Sequence, residues 1–130
     1  MNILRDVNLD EISFSKDGRS VELYFIDMHE GKRVGILNCL SVYSFKYQNC
    51  FEDDDSLAAY IGEVNYEKIK SKELLKNLNY NFHDSEQLVE NEPLLINIEG
   101  GELVLEIICR AAEFNNKDIY RDTQCAEINR

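Results

Sequence analysis

Residues 94–111 read LLINIEGGELVLEIICRA, two apolar runs on either side of Gly100-Gly101. A run from Leu94 to Ile98, a pair of glycines, and a run from Leu103 to Ala111 is the pattern of a β-hairpin. Side chains alternate across a strand, so Leu103, Leu105, Ile107 and Cys109 share one face. Val104, Glu106, Ile108 and Arg110 share the other. Two glycines between strands, with no helix after them, make a turn and not a phosphate cradle.

The same period of two runs through the first third of the chain. Ile12 and Phe14 alternate with Glu11, Ser13 and Ser15, and Asp17-Gly18 supplies a second hairpin turn. In Val21–Ile26, Val21, Leu23 and Phe25 point one way while Tyr24 and Ile26 point the other, which predicts a strand covered on both faces. Met28 to Gly31 reads as a turn, and further strands run through Val34, Ile36 and Leu37 and from Val42 to Tyr47. A bend near Asn38 or Ser41 is expected between them. Glu52-Asp53-Asp54-Asp55 breaks the apolar pattern, because adjacent carboxylates repel too strongly for a sheet interior. Leu57 to Tyr66 returns as a strand, or Leu57-Ala58-Ala59-Tyr60 starts as a helical turn, with Gly62 marking a bulge or a close backbone approach. Ser71 to Asn79 is the best helix candidate, its Leu74, Leu75 and Leu78 forming a stripe among lysines that packs on a sheet face or edge. His83 to Pro93 reads as loop. The expected fold is α+β, a mainly antiparallel sheet of about six or seven strands with one or two short helices. All 130 residues form one domain.

Charge narrows the possible partners. Lys and Arg number 14 against 25 Asp and Glu, a net charge of −11 at pH 7. Such a surface repels DNA, RNA and anionic lipid, so neither nucleic acid nor membrane is an expected partner. The N-terminal residues lack a basic region followed by an apolar run, and no uncharged apolar stretch approaches the roughly 20 residues of a membrane span. The expected location is the cytoplasm, where Cys39, Cys50, Cys109 and Cys125 stay reduced.

No constellation of residues names a reaction. The acidic run lacks the alternating ligands and the glycine of a calcium loop, and there is no Cys-x-x-Cys pair, so no metal or cofactor is expected. His83-Asp84 resembles a base with its orienting carboxylate, but no nucleophile motif stands beside it, and Asp84 suits a helix or turn cap. His29 falls in a turn. An enzyme is therefore not expected. Crowded carboxylates on one loop can instead steer a cationic protein, and tyrosines such as Tyr43, Tyr47, Tyr60 and Tyr66 can anchor it.

Asp10 to Gln48 as a meander of strands, then Phe51-Glu52-Asp53-Asp54-Asp55 leading into Tyr60-Ile61-Gly62-Glu63-Val64, resembles the small immunity proteins of bacterial contact-dependent inhibition and polymorphic toxin systems. The fragment Asn81-Phe82-His83-Asp84-Ser85 is also similar to a segment of small uncharacterised bacterial proteins. The resemblance to immunity proteins implies stoichiometric inhibition of a cognate basic toxin domain, a nuclease, in a heterodimer. The candidate partner-binding set is Glu52, Asp53, Asp54, Asp55, Tyr60, Glu63 and Tyr66. The alternatives are another acidic interaction or ligand-binding module and, further off, a small enzyme using His83.

Overall fold

In a computed structural model of the chain, residues 2–50, 59–77, 85–115 and 117–118 are described. The strands are β1 (Asn2–Phe14), β2 (Val21–Asp27), β3 (Arg33–Asn49), β4 (Tyr60–Lys68), β5 (Leu94–Glu99), β6 (Leu103–Phe114) and β7 (Lys117–Asp118). The helices α1 (Lys72–Asn77) and α2 (Ser85–Glu90) lie between β4 and β5 and have six residues each. All strand pairings are antiparallel, in the order β3-β2-β1-β4-β5-β6-β7, and β3 also pairs with β6. That last pairing turns the expected sheet into a closed barrel of six strands, with β7 as an appendix to β6. The architecture is mostly antiparallel β, and the helical share is smaller than an α+β description suggests.

Closure rests on two long strands that each change partner along their length. Strand β1 pairs with β4 through Asn2–Asn8 and with β2 through Val7–Phe14, its register shifting between Leu9 and Glu11. Strand β3 pairs with β2 as far as Cys39 and with β6 from Leu37 to Asn49. The bend expected near Ser41 is present: Ser41 has a φ of 53° and the register shifts between Val42 and Ser44. It does not separate two strands. It kinks one strand so that its two halves serve different neighbours, the usual work of a bulge in a curved sheet. The first residues, not read as strand in the sequence, complete the barrel wall.

The interior is filled by the predicted alternation. Val21, Leu23 and Phe25, then Leu37 and Cys39, then Leu103, Leu105, Ile107 and Cys109 are all buried in one cluster with Ile61, Val64, Ile96 and Ile98. An eight-stranded barrel is just wide enough for side chains to fill it, and six strands enclose less. Leu95 and Ile108 point outward yet are buried, because Ile69, Leu75 of α1 and Leu88 of α2 cover them. Each such burial is worth about 1.5–3 kcal/mol, which is what holds two helices too short to persist alone. The expected packing of the Leu74–Leu78 segment on a sheet face is thus found for Leu75, while Leu78 lies outside the described residues. Helix α2 corrects the expectation of loop from His83 to Pro93. Its six residues show too little apolar period to be read from sequence, and Leu88 is fixed by its contact with the barrel. On the outer face of β2 and β3, Tyr24, Ile26 and Ile36 are half-buried with Arg33 4.4 Å from the Tyr24 ring centre, and no described element lies over them.

Both predicted hairpin turns are present. At Asp17-Gly18 the glycine takes a φ of +74°, and the Asp17 carboxylate accepts hydrogen bonds from Ser15 Oγ (2.7 Å) and the Arg19 amide (3.0 Å). At Gly100-Gly101 the Gly100 amide bonds to the Leu103 carbonyl at 2.8 Å. A Cβ on Gly100 would sit 1.7 Å from the Tyr60 carbonyl oxygen, whereas one on Gly101 would meet nothing within 4 Å.

Two predictions follow from these turns. Gly100→Ala should destabilise by about 2–3 kcal/mol or more, since backbone must move to admit the methyl, while Gly101→Ala should stay within about 0.5 kcal/mol; chemical denaturation of both variants checks this. The Ser15 hydroxyl and the Arg19 amide hold the Asp17 carboxyl below the usual carboxylate range. A depressed folded pKa contributes stability above the unfolded value and loses it as pH falls through the folded one. The stability gap between wild type and Asp17→Asn should therefore be full at neutral pH and close in acid. A gap independent of pH in thermal melts would contradict it.

Candidate functional site

Of the described residues in the sequence-predicted binding set, Tyr60 stands at one end of the barrel. There β1 finishes at Phe14, β3 finishes at Asn49, β4 begins at Tyr60, and the β5–β6 turn passes through Gly100-Gly101. Residues 51–58, which carry Glu52, Asp53, Asp54 and Asp55, lie outside the described residues. Both of their flanks are fixed at this end. The Cys50 amide bonds to the Glu102 carbonyl at 3.0 Å, and the Leu9 amide to the Ala59 carbonyl at 2.8 Å. The acidic sequence is therefore bracketed by one sheet hydrogen bond on either side.

Tyr60, Glu63 and Tyr66 share β4 but have different surroundings. The half-buried Tyr60 donates its hydroxyl to the Asp6 carboxylate, and that bond pushes its phenol pKa up, keeping it neutral. Glu63 accepts a hydrogen bond from Asn65 Nδ2 and stands directly opposite Glu99 on β5, with Arg5 opposite it on β1. A cross-strand pair of carboxylates is unfavourable for folding, and Arg5 offsets part of it. Tyr66 is only 9% exposed and belongs to the barrel core, so its ring supports β4 from within. Gly62, read as a bulge or close approach, is a close approach: its Cβ would lie 3.3 Å from the Glu99 carbonyl oxygen.

The same end carries aromatic surface that the alternation alone did not mark. Phe14 and Phe45 pack edge to face with centroids 5.1 Å apart. Tyr47, two residues beyond Phe45 on the same face of β3, is 52% exposed, as is Phe14. The cause is the geometry of β3. Its pairing with β2 stops at Cys39 while its pairing with β6 runs on to Asn49, so β3 projects past its neighbour. The inward face of the projecting part is then only partly covered: Phe45 packs against the core and Phe14, while Tyr47 stays half-exposed. An aromatic in an alternating strand reads as core; only the length of the neighbouring strand reveals that this one is not. Tyr43 is 38% exposed at the bulge.

The other reactive side chains lie elsewhere. His83, Asp84 and Cys125 fall outside the described residues. Asp27 caps the turn holding His29, accepting amide hydrogen bonds from His29 (2.9 Å), Glu30 (2.5 Å) and Lys32 (3.0 Å), at the opposite end of the barrel. Cys39 and Cys109 are fully buried in the barrel. A hydrogen bond with Cys109, together with burial, pushes the Cys39 thiol well up, which makes it a poor nucleophile. Cys50 is exposed and accepts a hydrogen bond from Gln48 Nε2 at 3.4 Å. Among the described residues there is no group of three or more His, Cys, Asp or Glu side chains able to hold a metal ion. No described helix is long and apolar enough to cross a membrane.

Among solved structures, the chain is similar to the crystal structure of an uncharacterized protein from Neisseria gonorrhoeae, with 27% identity and a TM-score of 0.61. That likeness covers 88% of this chain and 94% of the other. None of the curated proteins matches. Residues 2–116 match the model of a protein family described simply as "-like", and the chain belongs to that family.

Proposed function

We propose that this chain is a stoichiometric protein inhibitor, an immunity protein that binds and neutralises a cognate basic toxin domain, most simply a nuclease, in a 1:1 cytoplasmic complex. The observation that carries this reading is the bracketing of the acidic sequence. Four consecutive carboxylates, Glu52 to Asp55, lie between two residues whose backbones are hydrogen-bonded to one end of a closed barrel. A chain of net charge −11 whose densest negative run is joined in sequence to two residues fixed at one end would steer a cationic partner before contact. The barrel interior supports the same reading, because it is filled with aliphatic side chains and leaves the exterior to do the work. Tyr60 and Glu63 belong to the proposed contact surface; Tyr66 supports it from the core. Inhibition by occlusion requires no cofactor and no bond making.

Tagged protein in its native cells should retain one basic polypeptide at 1:1 through a low-salt wash, and the retained polypeptide should lose nuclease activity when the protein is added back. Replacing Glu52, Asp53, Asp54 and Asp55 by Gln and Asn should slow association about tenfold or more at low ionic strength and flatten the dependence of the on-rate on salt. An unchanged on-rate and salt slope would reduce the run to solvation. His83→Ala should leave protection intact. Complete loss of protection in a folded His83→Ala protein would favour catalysis over inhibition.

A further inference from the structure

We infer that the chain beyond β7 is a strap, in which Ile119 and Tyr120 carry β7 onward along an open stretch of the β6 edge and seal it. Such a strap is independent of the inhibitor reading and follows from backbone geometry. Strand β6 has two edges. Along one it pairs with β3, from Leu103 to Phe114. Along the other it pairs with β5, from Val104 to Cys109, and then with β7 at Glu113 and Phe114. Between those two partners, among the described residues, no strand faces Arg110, Ala111 and Ala112 on that edge. Strand β5 cannot be prolonged to reach them, because Pro93 has no amide to donate and Glu92 turns away with a φ of 45°. Asn115 bonds to Ile36 of β3, so alternation points the backbone groups of Glu113 and Ala111 toward β3. Those of Phe114, Ala112 and Arg110 then point to the other edge. Phe114 finds Lys117 there, while Ala112 and Arg110 face no described strand. An open edge of this kind is a template for a further strand.

The direction of the chain selects the occupant. Asn115 has a φ of 53°, its amide donates to the Ile36 carbonyl, and its side-chain oxygen accepts from the Ile36 amide, both at 2.9 Å. This left-handed residue, clamped to β3, returns the chain along β6 on the side away from β3. Strands β5 and β7 are both antiparallel to β6 on that side, so β7 runs toward the start of β5. The residues after Asp118 therefore begin in line with the gap. Continuing the β6–β7 register sets Ile119 opposite Ala112 and Tyr120 opposite Ala111. Each large side chain meets a small one, and the Ala112 partner belongs to the buried side of the sheet. One place further Arg121 would face Arg110, and Leu94 already occupies Cys109, so the strap stops after two residues. A segment joined to β7 also outcompetes a second copy, because its local concentration is far higher.

The test is NMR of the full chain in dilute solution. An Hα–Hα cross-peak should join Ala111 and Tyr120, the closely spaced pair of the extended ladder. The Ala112 amide should exchange with solvent about tenfold or more slowly than in Ile119→Pro, which removes the amide that donates to the Ala112 carbonyl. Exchange at Ile96 and Leu105 in the barrel should be the same in both proteins, reporting that the variant is folded. The wild-type cross-peak decides the matter even where the proline variant fails to fold. The strap is overturned by a missing Ala111–Tyr120 cross-peak, by exchange at Ala112 as fast as in an exposed loop, or by unchanged protection in a folded Ile119→Pro protein. Protection of Ala112 that grows with protein concentration also overturns it, because a second copy then holds the edge.

Discussion

Everything in this structure depends on the ladder between β3 and β6. It pairs Leu37 with Phe114 at one end and Asn49 with Leu103 at the other. Without it the remaining pairings would leave an open sheet with the face of Val21, Leu23, Phe25, Leu37 and Cys39 turned to water. With it, that face meets Leu103, Leu105, Ile107 and Cys109 across a common interior. The ladder joins residues from 54 (Asn49 to Leu103) to 77 (Leu37 to Phe114) positions apart, so its loop entropy must be met before its contacts form, and folding of this barrel is dominated by non-local pairing. Hairpins β1–β2 and β5–β6 can form early, but neither buries its apolar side until β3 reaches β6.

The same ladder decides where surface chemistry can occur. Because β3 must reach along β6 beyond the end of its pairing with β2, it carries Tyr47 out to solvent. The chain passes from β3 to β4 at that end, from Cys50 to Ala59. The interior is committed to packing. Cys39 and Cys109 show this: two thiols together in sequence-remote strands, buried, hydrogen-bonded and chemically quiet.

Residue by residue, the elements legible in the sequence are those where a local rule and the tertiary demand agree. The alternation in Leu103–Cys109 marked the inward face correctly, and Ile108, on the outward face, is buried only because Leu75 and Leu88 come down upon it. Asp17-Gly18 and Gly100-Gly101 were readable because a turn's backbone restricts which residues serve it. Asn2–Leu9 was missed because Arg5, Asp6 and Asn8 interrupt its apolar period, and only pairing with β4 makes it a strand. Tyr66 looked like Tyr60 in sequence. One side chain faces the barrel axis and the other reaches Asp6 at the surface.

By itself the sequence determined the strand-rich class, the two tight turns, the inward faces of β2 and β6, and the sign and location of the charge. These are properties of short windows, set by side-chain period, backbone freedom and Coulomb repulsion between neighbours. Tertiary structure decided that the sheet closes, that β3 kinks at Ser41 instead of ending there, that Phe14 and Tyr47 stay exposed, and that Tyr66 is core. Each of these depends on which remote strand lies alongside and where that strand stops, and no window of sequence contains that distance.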